Sequence, residues 1–367
     1  MSRKTRAVIH LDHILANYLL ANKWAPASKN IAVIKADAYG HGLVEVAKYL
    51  ESTVSAFAVA IFDEAMILRQ AGIKKEILIL QGVSSVDEVT EIAENSIWTT
   101  IHNLEQLEII SSAPLNNKLN ERILVWLKID TGMHRLGLSF AELKAALNQI
   151  KQCDSINDDI VLSSHFSTAD ELDNDETLNQ IDVFKSVSAK LNLPVKSKFS
   201  LANSAALAHY NEARLDWNRP GIMLYGLPLF DRPHKTDQEL KAAMSFESSV
   251  IGITKIEIGE SVGYGKKWTA AKSSTIATIS VGYADGYPRH AKSGTPVLIK
   301  GQKAKLVGTV SMDLISVDVT DIDEVQIGDP VELWGENLSA NDVASWAGTI
   351  GYDLITAVSK RVPRIYR

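Results

Sequence analysis

A single cysteine, Cys153, is all that the 367 residues contain, so no disulfide can close within the chain and no cysteine cluster can hold a metal. That composition suits a reducing compartment, and a cytoplasmic enzyme is expected. Long apolar runs are missing too: nothing approaches the roughly 18 consecutive apolar residues of a membrane span. The opening MSRKTRAVIHLDHILANYLL breaks its apolar positions with Asp12, His13 and Asn17, unlike the core of an export signal. A net charge of −6 with no basic block gives no footprint for nucleic acid or an anionic membrane. With 46% hydrophobic and 22% charged residues the chain can bury a sizeable core, and its length exceeds the needs of one ordinary domain. Small-molecule chemistry on two domains is the class that survives these exclusions.

Over the first two thirds of the chain, short runs rich in β-branched residues alternate with helix-period segments, the pattern of βα units around a parallel sheet. Eight such runs fall at 31–36, 57–62, 77–81, 97–102, 123–129, 160–166, 199–202 and 221–225. Eight alternations predict a closed (β/α)8 TIM-like barrel over residues 1–234. The stretch PLFDRPHKTDQEL reads as a linker. Beyond it the apolar period falls to two, as in STIATISVGYADG and DLISVDVT, which predicts a mainly antiparallel β domain over residues 235–367. The first few residues of the chain are free to join that second domain.

In a barrel the chemistry belongs at the C-terminal strand ends. Lys35 stands there, closing the first apolar run in AVIKADAYGHG. An ammonium in a partly dry site tends to lose its proton, and the neutral amine is the form that attacks a carbonyl. On position alone, a lysine snorkelling to solvent is the commoner case.

The surrounding strings weigh against the commoner case. VIKADAYGHG, LKIDTGMHRLG (127–137), SSHFSTADE (163–171), LANSAA (201–206), DWNRPGIMLYG (216–226), GESVGYG (259–265), ISVGYADGYPR (279–289), VGTVSMD (307–313) and TIGYDLITAVSKRVPRIY (349–366) follow one another in order. Together with FAVA and DEA (57–65), they resemble the alanine racemase family over almost the whole chain. The resemblance implies a pyridoxal 5'-phosphate enzyme that interconverts L-alanine and D-alanine and supplies D-alanine for peptidoglycan. Lys35 would carry the cofactor as a Schiff base and serve as one acid/base, acting on the D-enantiomer. Tyr264 would be the other, acting on the L-enantiomer from the opposite face and supplied by the second subunit of a homodimer with shared sites.

The same resemblance assigns the cofactor phosphate to Tyr39, Ser204 and Tyr352 with the backbone N–H groups of Gly221 and Ile222. Arg219 would face the pyridine nitrogen; a guanidinium only donates, so that nitrogen stays an unprotonated acceptor and the ring a weaker electron sink. His165 and Arg219 are expected to be the cations that favour an ionised Tyr264, since a phenol has an ordinary pKa near ~10. Arg135 and the Met312 N–H would hold the substrate carboxylate, and Tyr283 with Tyr352 would narrow the entrance, near Asp313. Lys128 matches a lysine that is carbamylated in some members. Where some relatives have His and Cys, this chain has Ser200 and Ser311.

Each residue alone has a blander explanation. Gly221 could be a turn glycine, Tyr352 a structural ring, Met312 core filler, Arg135 a surface charge, and Arg219 a partner of Asp216. Two other types of protein share the implied architecture in part, one an enzyme and one a carrier. Decarboxylases of this fold usually carry an acid/base cysteine, whereas Cys153 lies in the polar KQCDSINDD, away from every matched string. Cofactor-carrier proteins have the barrel alone. A racemase of broader specificity, or one acting on serine, is the alternative that stays open.

Overall fold

The computed structural model describes residues 3–115 and 122–367. Strand β1 (Arg6–Ile9) opens the chain and is followed by β2 (Lys29–Val33), β3 (Ala56–Val59), β4 (Ile77–Ile79), β5 (Ile97–Ile101), β6 (Ile123–Lys128), β7 (Ile156–Ser163), β8 (Lys198–Ser200) and β9 (Trp217–Asn218). Strands β2 to β9 are parallel and form a closed barrel, sealed where Lys29 and Asn30 pair with Trp217 and Asn218. β3 and β4 are buried along their whole length, as expected of parallel strands covered on both faces. Trp98 of β5 and Trp217 of β9 meet edge-on at 5.7 Å. These strands are not neighbours, so the rings meet across the barrel interior at the strand starts. The opposite end is left for chemistry.

Helices cover the barrel because each buries one stripe. Leu43–Leu50 turns Leu43, Val46, Ala47 and Leu50 inward, the i, i+3, i+4, i+7 spacing of an amphipathic helix. Start signals are local. Ser85 caps Val86–Glu94, and Ser139 with Glu142 forms a capping box at Phe140–Ile150.

The eighth strand differs from expectation. Residues 221–225 were expected to be a strand, but Ile222–Tyr225 is a 3-10 turn, and the strand lies earlier, at Trp217–Asn218. Pro220 has no N–H to give a ladder, so pairing stops before it. The predicted linker is packed rather than loose, with Leu229, Phe230 and Thr236 buried.

The second unit contains β10 (Met244–Ile256), the short pair β11 (Ser261–Val262) and β12 (Trp268–Thr269), then β13 (Ser274–Ile279), β14 (Pro296–Ile299), β15 (Gln302–Leu306), β16 (Ile315–Asp318), β17 (Pro330–Trp334) and β18 (Arg364–Tyr366). Eight strands form one sheet in the order β13-β16-β15-β14-β17-β10-β1-β18. All pairs in it are antiparallel except β1 with β18. Ala7 of β1 sits between Phe246 of β10 and Arg364 of β18, which joins the two chain ends in this sheet. Two helices, Ala340–Ala347 and Gly351–Ala357, pack here as well. No helix among the described residues is long and apolar enough to cross a membrane.

Candidate active site

Lys35 follows β2 at the C-terminal mouth of the barrel. The next four residues, Ala36 to Tyr39, all have φ between 52° and 54°. This left-handed turn costs L residues roughly 1–2 kcal/mol each, so side chains must hold it. Glu64 does so at one end, its carboxylate accepting from Ala36 N at 2.7 Å and Ala60 N at 2.8 Å. Asp37 Oδ1 accepts from Leu43 N at 2.8 Å. At the other end, His41 Nδ1 lies 3.0 Å from Ala38 O and 2.9 Å from Tyr39 O. Sequence reasoning gave no role to Glu64 or His41, although both lie inside the family-like strings.

Cations crowd this mouth. Burial lowers the Lys35 pKa, nearby Arg135 lowers it further, and Glu64 opposes both. Lys128, at the end of β6, is pushed down to about 8 by burial and then by Arg219, Arg135 and Lys35. His165 is held well below its ordinary value by burial and by Arg219, Lys128, Arg135 and Lys35. This disfavours a charged imidazole and runs against the expectation of a cationic His165: burial penalises the charge most, and the basic neighbours add to that.

Arg219 is buried, and burial brings it down to about 10, still charged near neutrality. Its Nη1 donates to Ser200 Oγ, while Nη2 donates to Ser164 O and, at 3.1 Å, to Leu201 O. These bonds leave the Nε–H and one Nη1–H without a partner among the described residues. Asp216 pairs with Lys198 instead. Ser200, one of the two departures from the family pattern, thus holds the guanidinium in place.

Beside Arg219 lies a cradle of donors. Ser204 Oγ accepts from Gly221 N at 2.9 Å and Met223 N at 3.2 Å, so its own proton is left to donate, while the Gly221 N–H expected to meet the phosphate is spent within the chain, which corrects that expectation. Ile222 N heads the 3-10 turn, where a helix leaves its first amides unpaired. Tyr39 is buried and its hydroxyl bonds to no described residue; burial raises its pKa, which keeps the phenol protonated as a donor. Tyr352 lies 6.2 Å away, ring to ring, and burial raises it likewise. Gly221 matters through what it lacks: a Cβ there would stand 2.8 Å from the Tyr39 hydroxyl and fill the space. Donors converging on a gap beside a fixed guanidinium fit a phosphate joined to a ring that carries an acceptor nitrogen.

The remaining sequence-chosen residues lie apart from this group in the single chain. Tyr264 is 72% exposed and Met312 53%. Among the described residues, no hydrogen bond, ion pair or ring contact joins them or Tyr283 to the barrel-mouth residues. The Tyr283 and Met312 segments do form a local unit, Tyr283 N and Ala284 N donating to Ser311 O and Met312 O at 3.1 and 3.0 Å, and Thr309 Oγ1 donates to Tyr264 O at 3.1 Å. Under it, buried Asp285 accepts from Gly282 N and pairs with Arg3 and Arg361, and Arg361 also reaches Asp313. Asp285, Arg3 and Arg361 had no role in the sequence reading, and nothing local in their strings signals one.

A closed eight-stranded parallel barrel with a partly desolvated lysine and a group of donors at its mouth, joined to an antiparallel β unit, defines a class of two-domain protein. Family models described as alanine racemase N-terminal domain and C-terminal domain match residues 9–228 and 243–366. The chain belongs to the alanine racemase family, a family of isomerases. It is 42% identical to an alanine racemase of Alteromonas mediterranea, covering all of this chain and 99% of that one. It is 43% identical to a catabolic alanine racemase of Pseudomonas putida, covering 99% of each. Its fold matches the crystal structure of the biosynthetic alanine racemase from Pseudomonas aeruginosa with a TM-score of 0.94 at 41% identity, over all of this chain and 99% of that one.

Proposed function

We infer that this protein is a pyridoxal-phosphate-dependent alanine racemase that moves the α-proton between two bases, Lys35 and Tyr264. The observation that carries this reading is the juxtaposition of a partly desolvated Lys35, the buried guanidinium of Arg219 and the Tyr39, Ser204, Ile222 and Tyr352 donors, with the missing Cβ of Gly221 leaving space between them. When bound, the cofactor supplies the aldehyde that takes the amino group and the ring that acidifies the α-C–H. Lys35, with its lowered proton affinity, takes or returns that proton on one face. Tyr264 does the reverse on the other face, so each turnover removes one proton and adds one. Arg219, a donor only, would face the ring nitrogen of the cofactor and favour its unprotonated form. Arg135 and the Met312 N–H hold the substrate carboxylate, while Tyr283 and Tyr352 leave room for a methyl side chain; His165 lines the cofactor site as a neutral ring.

Tyr264, Met312 and Tyr283 expose large apolar side chains in the lone chain, and a homodimer that shares its sites would cover them. A Lys128 amine at about 8 offers a substantial neutral fraction to carbon dioxide, and the resulting carbamate would place a negative charge among Arg219, Arg135 and Lys35. The working boundary between domains lies at residues 234 and 235. The enzyme works in the cytoplasm and supplies D-alanine for peptidoglycan; a strain lacking it then grows only with added D-alanine.

The direct test follows conversion of L-alanine to D-alanine by the purified protein. Lys35→Ala should lower the rate by at least about a thousandfold. Racemisation surviving at near wild-type rate would remove Lys35 from the chemistry, and faster turnover of L-serine than L-alanine would favour the broader-specificity alternative.

A further inference from the structure

His41 is fully buried, yet its Nε2 has no hydrogen-bond partner. Burying a polar ring with an unpaired nitrogen is costly, and an apolar side chain would fill the space without that cost. What the imidazole provides is its other nitrogen. The carbonyls of Ala38 and Tyr39 only accept, so Nδ1 carries the proton and donates to both. These are the last carbonyls of the left-handed turn, whose first amide is held separately by Glu64. The same ring also packs on Tyr225, centroids 4.6 Å apart, and Tyr225 stacks on Tyr39 at 4.6 Å. Tyr225 is anchored in turn through its hydroxyl to Val33 O at 3.1 Å.

The geometry points to His41 as a positioning residue: its imidazole fixes the end of the left-handed turn and backs the ring stack, so that the Tyr39 hydroxyl stays at the cradle beside Gly221. This role rests on the reading that Tyr39 binds the cofactor phosphate. Lys35 is tied to the other end of the turn, so the effect falls on the phosphate and not on the lysine.

The test uses holoenzyme dialysed against graded concentrations of pyridoxal 5'-phosphate or of pyridoxal, with bound ligand read by absorbance. His41→Phe keeps a ring against Tyr225 and removes the donor. It should weaken binding of the phosphate form about tenfold and change pyridoxal by less than about twofold. His41→Phe combined with Tyr39→Phe should bind no more weakly than Tyr39→Phe alone. Equal losses for both ligands, or losses that add in the double variant, would overturn the role of His41, as would an unchanged His41→Phe beside a weakened Tyr39→Phe. An unchanged Tyr39→Phe would instead overturn the phosphate reading itself. Should His41→Phe not fold, His41→Asn takes its place in the same cycle, with a loss additive to Tyr39→Phe again counting against the role.

Discussion

Four cationic side chains, Lys35, Lys128, Arg135 and Arg219, surround one neutral histidine at the barrel mouth. Burial and this crowding together disfavour the charged form of each amine. Lys128 gives the most direct measure of it. Its pKa in the fold is about 8 against an ordinary 10.5, so between those values the unfolded chain binds more protons and folding stability rises with pH. In buffer free of carbon dioxide, Lys128→Met should therefore be more stable than the wild type at neutral pH, with the advantage shrinking as pH climbs from about 8 toward 10.5. Denaturant midpoints measured across that range decide it; a constant difference would mean that burial does not hold the amine neutral. The lysine itself was legible in the sequence, in LKIDTG. Its altered proton affinity was not, because burial in the folded barrel is the main cause and Arg219, the next, arrives from beyond β9.

At the scale of elements, the left-handed turn after β2 is the unusual piece of backbone. Four consecutive non-glycine residues at positive φ have no signal in a propensity scale, and Ala-Asp-Ala-Tyr reads as helix or coil. What makes the turn possible comes from elsewhere: Glu64 from a neighbouring helix, and Arg364 from β18, whose Nε and Nη2 donate to Gly40 O at 3.2 Å each. Gly40 ends the turn at φ 81°, where a Cβ would collide with the Ile355 carbonyl. Gly40→Ala should thus cost about 2 kcal/mol or more of stability, read by thermal or denaturant unfolding. A loss below about 0.5 kcal/mol would show that the turn relaxes freely.

The whole molecule has its two proposed bases on different units, Lys35 on the barrel and Tyr264 on an exposed turn of the β unit. If each site draws one base from each copy, chains carrying Lys35→Ala and chains carrying Tyr264→Ala complement each other. Random pairing makes half of the dimers mixed, each with one intact site of two, so mixtures refolded or expressed together should recover about a quarter of wild-type activity. Either variant alone should stay inactive. No recovery in mixtures shown to exchange subunits would place both bases in one chain.

Local order was written plainly in the sequence: the alternation that makes the barrel, the change to a period of two, and the lysine at the first strand end all depend on neighbours a few residues apart. The misplaced eighth strand shows the limit, since 221–225 is apolar enough for a strand and only the loss of an N–H at Pro220 and the closure of β9 on β2 decide otherwise. Tertiary structure alone decided that β1 lies between β10 and β18, that Arg3 and Arg361 meet on Asp285, that Ser200 holds Arg219, and that Glu64 clamps the turn bearing Lys35 and Tyr39. Periodicity and residue type report what one segment prefers; a proton affinity or a strained turn depends on which distant segments arrive beside it, and that is set only when the chain closes on itself.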